Sequence, residues 1–235
     1  MLITGCVGFP VGRDRYWRTL SFVEARTGEV MPRESTLLEW RAGAPAGADF
    51  AVQAYRLITH GREDRGFPPA GRKLTPARQL QCGGFRESVE VYEGWQATKN
   101  AAALLKAKMI VFETPASFQP GPDRLRDLYR FFKKLPPARV PLVWHPLARE
   151  WNSPLGDKVC AELGLVRSFD PLQSMAPKAG AFRYARPQGP RSGGFFDKDL
   201  SAIRAGVEGK PSYLVFSHRM AFPDASRVVT APRIS

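Results

Sequence analysis

The chain has 235 residues, enough for one large domain or two small ones, with 35 Lys and Arg against 22 Asp and Glu. The resulting charge of +13 favours polyanionic partners and says little about fold. Three widely spaced cysteines, Cys6, Cys82 and Cys160, form no CxxC pair, which excludes a four-thiolate zinc or iron–sulfur site within one chain. Neither a basic-then-apolar leader nor an apolar run long enough to span a bilayer is visible, so a cytoplasmic protein without a membrane partner is expected.

In chain order, a first strand over residues 2–6 runs into a turn permitted by Gly5 and Gly8. Arg13 to Leu20 reads as a short helix and Ser21 to Ala25 as the second strand. After a polar stretch, a helix starts at Ser35, and Phe50 to Ala54 is the third strand. Residues 56–86, with Gly, Pro and many Arg, read as a long loop of the kind that is usually functional or disordered. Glu87 to Lys108 is the strongest helix, with an apolar stripe of Val91, Trp95, Ala102 and Leu105. Met109 to Thr114 is the fourth strand, stopped by Pro115. Pro122 to Leu135 is a helix with proline in its first turn and Leu125, Leu128, Phe131 and Phe132 on one face. Val140 to His145, Leu165 to Asp170, Ala181 to Tyr184 and Ser212 to His218 complete the strands. Helices over Leu155 to Leu163 and Asp197 to Val207 fall between them. Alternating strands and helices without a sequence repeat predict an α/β fold, a TIM (β/α)8-like barrel forming a single domain over 1–235. A doubly wound open sheet is the alternative, because periodicity does not show closure.

Polar residues recur where the strand-like runs stop: Glu24, Glu113, His145, Asp170 and His218. Parallel strands gather their carboxyl ends at one face, which is where barrels build sites.

Several segments carry a family resemblance. Phe50-Ala51-Val52-Gln53-Ala54-Tyr55-Arg56-Leu57-Ile58-Thr59-His60 is similar to a third strand ending in "ITH". Val111-Phe112-Glu113-Thr114-Pro115-Ala116-Ser117-Phe118 is similar to an "FQ-P-SF" fourth strand. Val23-Glu24, Phe169-Asp170-Pro171 and Tyr213-Leu214-Val215-Phe216 follow in matching order. Together they resemble the YecE-like proteins, catalogued as domain of unknown function 72, and the resemblance runs from Gly5 to about Ala225. It implies a TIM barrel and carries no established reaction. The chain departs from the family pattern at polar positions: Gln53 replaces a lysine, Glu113 a glutamine and His145 a glutamate. Ala185 replaces a histidine, and Ser217 and His218 replace asparagines.

Two constellations follow. Glu24, Glu113, His145, Asp170 and His218 offer imidazole nitrogens and carboxylate oxygens suited to a divalent metal (Zn, Mn or Fe), which would activate water and clamp a phosphodiester. The plainer reading is a polar mouth whose residues satisfy one another. Second, His60, Arg183, Arg186 and Arg191, with Gly193 and Gly194, offer phosphate contacts; His60 also reads as a loop anchor. Arg56, Arg62, Arg65, Arg72 and Lys73 would extend that basic patch, and Phe67, Phe85, Trp151 and Phe195 offer stacking faces. The expected function is binding of a phosphate-rich ligand or nucleic acid at the carboxyl-end face, with metal-dependent phosphodiester hydrolysis in the enzymatic version. The competing expectation is a noncatalytic barrel that binds a small anionic ligand or a protein partner.

Overall fold

The computed structural model describes residues 1–67, 73–136, 139–178, 180–190 and 192–231. Eight strands, all parallel to their neighbours, close into a barrel in sequence order: β1 (Leu2–Val7), β2 (Phe22–Ala25), β3 (Asp49–Gln53), β4 (Met109–Thr114), β5 (Leu142–Pro146), β6 (Val166–Phe169), β7 (Arg183–Ala185) and β8 (Ser212–Phe216). β8 returns to β1 with Leu2 opposite Ser212 and Cys6 opposite Phe216, so the open-sheet alternative is excluded. The helices are α1 (Arg13–Trp17), α2 (Glu34–Ala42), α3 (Pro76–Gln79), α4 (Val89–Leu104), α5 (Pro122–Lys134), α6 (Pro154–Leu163), α7 (Asp197–Gly206) and α8 (Ala221–Thr230).

Strand alternation divides the apolar residues into two layers. Phe22, Ala51, Val111, Val143, Val166, Tyr184 and Val215 meet inside the barrel. Their neighbours, such as Val23, Val52, Phe112, Trp144 and Phe216, face the helices. Gly5 stands on the inner face because a Cβ there would lie 2.2 Å from the carbonyl oxygen of Phe22. The turns follow local chemistry. Ser88 caps α4 by accepting the Val91 N–H at 3.2 Å, and Gly164 ends α6 in the left-handed region at φ 65.

Several expectations need correction. The strong helix stops at Leu104 rather than Lys108, because Lys106 turns the chain at φ 50 to enter β4. The long loop holds α3 and then runs through positive φ at Gly83, Gly84 and Phe85. That turn drives Phe85 into the core, where it packs against Phe112, Phe118, Phe131 and Phe132. Trp151 and Phe195 are buried as well, so these three rings are core and not stacking faces. The last helix, α8, is absent from the sequence reading, although Phe222, Ala225 and Val228 supply its buried stripe.

Candidate functional site

The inner-face stripe of each strand changes character at its carboxyl end. One step of two beyond the apolar layer come Glu24, Gln53, Glu113, His145, Ser168, Arg186 and Ser217. The barrel mouth is therefore a polar layer standing on an apolar plug.

At its centre is Arg186, with a side chain 7% exposed. Its Nη1 lies 3.5 Å from Glu24 Oε1 and 3.1 Å from Glu113 Oε2. Glu24 is fully buried and also accepts Gln53 Nε2 at 2.7 Å and the Tyr184 hydroxyl at 2.5 Å. The other Glu113 oxygen is 3.4 Å from Arg56 Nη2, and Arg56 Nη1 is 2.6 Å from Glu29. Charges thus alternate across the mouth: Glu24, Arg186, Glu113, Arg56, Glu29. Burial alone would push the Glu113 carboxyl up, but Arg186, then His145 and Arg56, outweigh it and bring it down to about 2. Burial tends to discharge Arg186, and Glu24 and Glu113 outweigh that in turn, so the guanidinium stays charged.

His145 Nδ1 is 2.6 Å from Ser168 Oγ, its register partner beyond the Trp144–Arg167 pair. Burial, with Arg186 adding to it, pushes the imidazole down to about 3, so it is neutral at physiological pH. Asp170 stands at the rim and accepts the N–H groups of Leu172 and Gln188 at 2.9 and 3.0 Å and Gln173 Nε2 at 2.8 Å. It fastens the loops after β6 and β7 together.

His218 does not join this layer. Val215 faces inward and Phe216 outward, so Ser217 returns to the mouth and His218 turns toward the helices. There it packs on Phe195 and Phe216, with Nε2 2.8 Å from Asp224 Oδ2. The metal set expected from the sequence is accordingly not assembled. Among the described residues, no three His, Cys, Asp or Glu side chains are placed to hold a metal ion. Arg186 occupies the space between Glu24 and Glu113, Asp170 is bonded to the loops after β6 and β7, and His218 points elsewhere. The donor set does not fit a Zn, Mn or Fe centre.

The phosphate set also divides. Arg186 is in the mouth. Arg183 is at the opposite, amino end of the barrel, where its backbone N–H donates to Pro211 and its guanidinium to the Gly206 and Glu208 carbonyls. His60 is 2% exposed, bonded to Thr59 Oγ1 at 2.9 Å, and pushed down to about 4 by burial and then by Arg56. It anchors its loop and brings no charge to an anion. Arg191 and Arg72 lie outside the described residues. Cys6 faces the helices beside Tyr16, and burial pushes its thiol up to about 12, so it stays protonated and takes no part in the mouth.

Between the loops after β5 to β8, with Glu113 of β4 at its floor, opens a cavity of about 300 Å3, lined also by His145, Arg149, Asn152, Ser168, Asp170, Gln173, Arg186, Gln188 and Ser217 among others. Its carboxylates are engaged with wall groups, as described, while several donors are not. Among the described residues, the exposed Arg149 guanidinium has no carboxylate partner. Among the described residues, Asn152 uses only its oxygen, accepting Arg167 Nη1 at 2.9 Å, and Gln188 only its oxygen, accepting Gln173 Nε2 at 2.9 Å. The Ser217 hydroxyl is exposed at the rim. The uncommitted chemistry of the cavity is thus mostly N–H and O–H donation.

A family model described as "Protein of unknown function DUF72" matches residues 15–165. The chain belongs to the DUF72 family. No curated protein matches it. Among solved structures, a DUF72 family protein from Enterococcus faecalis is 12% identical with TM-score 0.69, covering 100% of both chains. A DUF72 family protein from Thermotoga maritima is 13% identical with TM-score 0.67, covering 97% of each chain. A xylose isomerase domain containing protein from Salmonella typhimurium is 10% identical with TM-score 0.57, covering 96% of this chain and 94% of that one. At these identities the likenesses establish the barrel alone.

Within this DUF72 barrel the sequence reading overlooked Tyr184, Ser168, Ser217 and Arg149 as mouth residues. Alternation along β6, β7 and β8 was the available signal for the first three. For Arg149 there was none, since it rides on a 3-10 turn (Arg149–Trp151).

Proposed function

We propose that the mouth of this DUF72 barrel binds a small phosphate-bearing ligand without a metal ion. The observation that carries the proposal is the donor excess of the cavity. Among the described residues, the Arg149 guanidinium, the Asn152 and Gln188 amide nitrogens and the Ser217 hydroxyl are uncommitted, above an Arg186 already held by two carboxylates. A phosphate offers only acceptors, and guanidinium and amide donors are its usual partners. At about 300 Å3 the cavity is at the small end of ligand sites, sized for one phosphorylated group. Nucleic acid is supported by net charge alone, and metal-dependent phosphodiester hydrolysis lacks its ligand set. Both readings therefore give way to small-ligand binding.

Calorimetric titration with inorganic phosphate provides the test. Saturable binding is expected, weakened about tenfold or more in Arg149→Ala, because a charged hydrogen bond contributes about 1.5–3 kcal/mol. Lys108→Ala, at the amino end of β4, leaves it unchanged. Absence of saturation, or an Arg149→Ala variant equal to wild type, overturns the reading.

A further inference from the structure

The floor of the cavity differs in chemistry from its rim. Arg149, Asn152, Gln188 and Ser217 stand beyond the ends of β5, β7 and β8, on the loops. Glu113 and His145 stand on the strands themselves, as register partners across β4 and β5. Glu113 lines the cavity, whereas the fully buried Glu24 does not. Along the run Glu24, Arg186, Glu113, Arg56 and Glu29, three carboxylates face two guanidiniums, so the floor keeps a net negative charge. A phosphate is therefore turned away from the floor and toward Arg149 at the rim.

His145 supplies a donor at this floor. Ser168 is 2% exposed and, among the described residues, its hydroxyl has no hydrogen-bond partner except His145 Nδ1 at 2.6 Å. A buried hydroxyl gives its proton to the acceptor at hand, so Nδ1 accepts and the one proton of the neutral ring sits on Nε2. Among the described residues, Nε2 has no protein partner. Burial and Arg186 keep the ring uncharged, the form in which a histidine donates to an oxygen without adding charge. An uncharged donor beside a net negative floor selects a neutral oxygen. A carboxylate or a second phosphate would be repelled by Glu113, and an ammonium would give the Nε2 proton nothing to bond. A hydroxyl suits the floor better than a carbonyl, because it alone also presents a proton to the negative charge.

We infer that the cavity takes a small phosphorylated alcohol that keeps a free hydroxyl, with the phosphate at the rim and the hydroxyl on His145 Nε2–H. Ser168 is the positioning residue that fixes the tautomer. The inference rests on the phosphate reading of the same cavity and adds to it the class of ligand and its orientation.

Calorimetric titration of the wild type with glycerol 3-phosphate, propyl phosphate and inorganic phosphate provides the test. Propyl phosphate has the same carbon chain without the hydroxyls. Glycerol 3-phosphate is expected to bind about tenfold tighter than propyl phosphate, and His145→Leu, folded by circular dichroism, should bring the two within about twofold. Nitrogen-15 magnetic resonance of the wild type at neutral pH should place the ring proton on Nε2, and Ser168→Ala should give a mixture of the two tautomers. Equal affinities for the two esters in the wild type overturn the inference. So does a preference for glycerol 3-phosphate that survives in His145→Leu, or a wild-type ring proton on Nδ1. The wild-type affinities and tautomer decide the matter even where a variant fails to fold. Saturable binding of inorganic phosphate and propyl phosphate with no preference for glycerol 3-phosphate removes this inference alone. Binding of none of the three removes the phosphate reading with it.

Discussion

Replacing Arg186 by Met tests whether the mouth is organised around a buried cation. The substitution keeps a long side chain and removes the charge between Glu24, fully buried, and Glu113, whose side chain is 19% exposed. Breaking a buried ion pair by removing one partner costs about 3–5 kcal/mol, because the remaining charge is left uncompensated. For a chain of this size each kcal/mol moves the melting temperature by about 2–4 °C, so the fall at neutral pH is about 6–20 °C. The pH dependence gives a sharper criterion. In the wild type Glu113 is held at about 2 against an ordinary 4.5. That depression stabilises the fold by roughly 3 kcal/mol above the ordinary carboxylate range, and the contribution is lost as pH falls from there toward 2. Without Arg186 the largest downward influence is gone and burial pushes the carboxyl up. The folded variant then takes up a proton more readily than the folded wild type. The gap in melting temperature therefore narrows as pH is lowered from about 7 to about 4. Thermal melts of both proteins across that range measure it. A fall below about 2 °C at neutral pH, or a gap that stays constant or widens in acid, refutes the buried-cation account.

The neutral imidazoles predict acid sensitivity. His145 is held at about 3 and His60 at about 4, against an ordinary 6.5, so each stabilises the fold fully above 6.5 and loses that contribution as pH falls toward its folded value. Urea unfolding of His145→Gln between pH 6.5 and 4 should show a stability slope shallower by about 1.4 kcal/mol per pH unit; an unchanged slope rejects the assignment. Gly189→Ala would place a Cβ 2.2 Å from His218 Cβ and should destabilise by about 1–3 kcal/mol or more, whereas Gly12→Ala meets no atom within 4 Å and should be close to neutral. Equal melting temperatures for these two variants would contradict the packing of His218 behind the loop after β7.

The barrel was legible because each strand is a short apolar run with a polar residue at its end, and the intervening segments carry helical stripes. β4 was read at its observed limits, Met109 to Thr114, since Pro115 stops it sharply. Two of the departures, the end of the long helix and the path of the long loop, fall where a non-glycine residue takes positive φ, at Lys106 and Phe85, a conformation that composition does not advertise. Phe85 shows the consequence most clearly. In a stretch dense in Gly, Pro and Arg it reads as a loop aromatic, yet the Gly83-Gly84 turn delivers it to the largest aromatic cluster beneath α5.

The site was legible in its carboxylates and misread in its cations. Glu24 and Glu113 are inward positions of period-two strands, and that much follows from Phe22 and Val111 two residues earlier. The same count excludes His218, because Phe216 already faces the helices, and it brings in Ser217. Residue type alone drew His218 into a metal set; strand parity would have kept it out. What the sequence cannot display is the destination of an arginine three residues after a strand begins. Arg183 and Arg186 share a short segment and lie at opposite ends of the barrel, one holding the Gly206 and Glu208 carbonyls and the other standing between two glutamates. Two carboxylates converging on one point need a positive charge. A metal ion and a guanidinium supply it equally well on paper, but only the second comes with the chain. Once Arg186 holds that position, the carboxylates become structural and the chemistry left to the mouth is that of its donors.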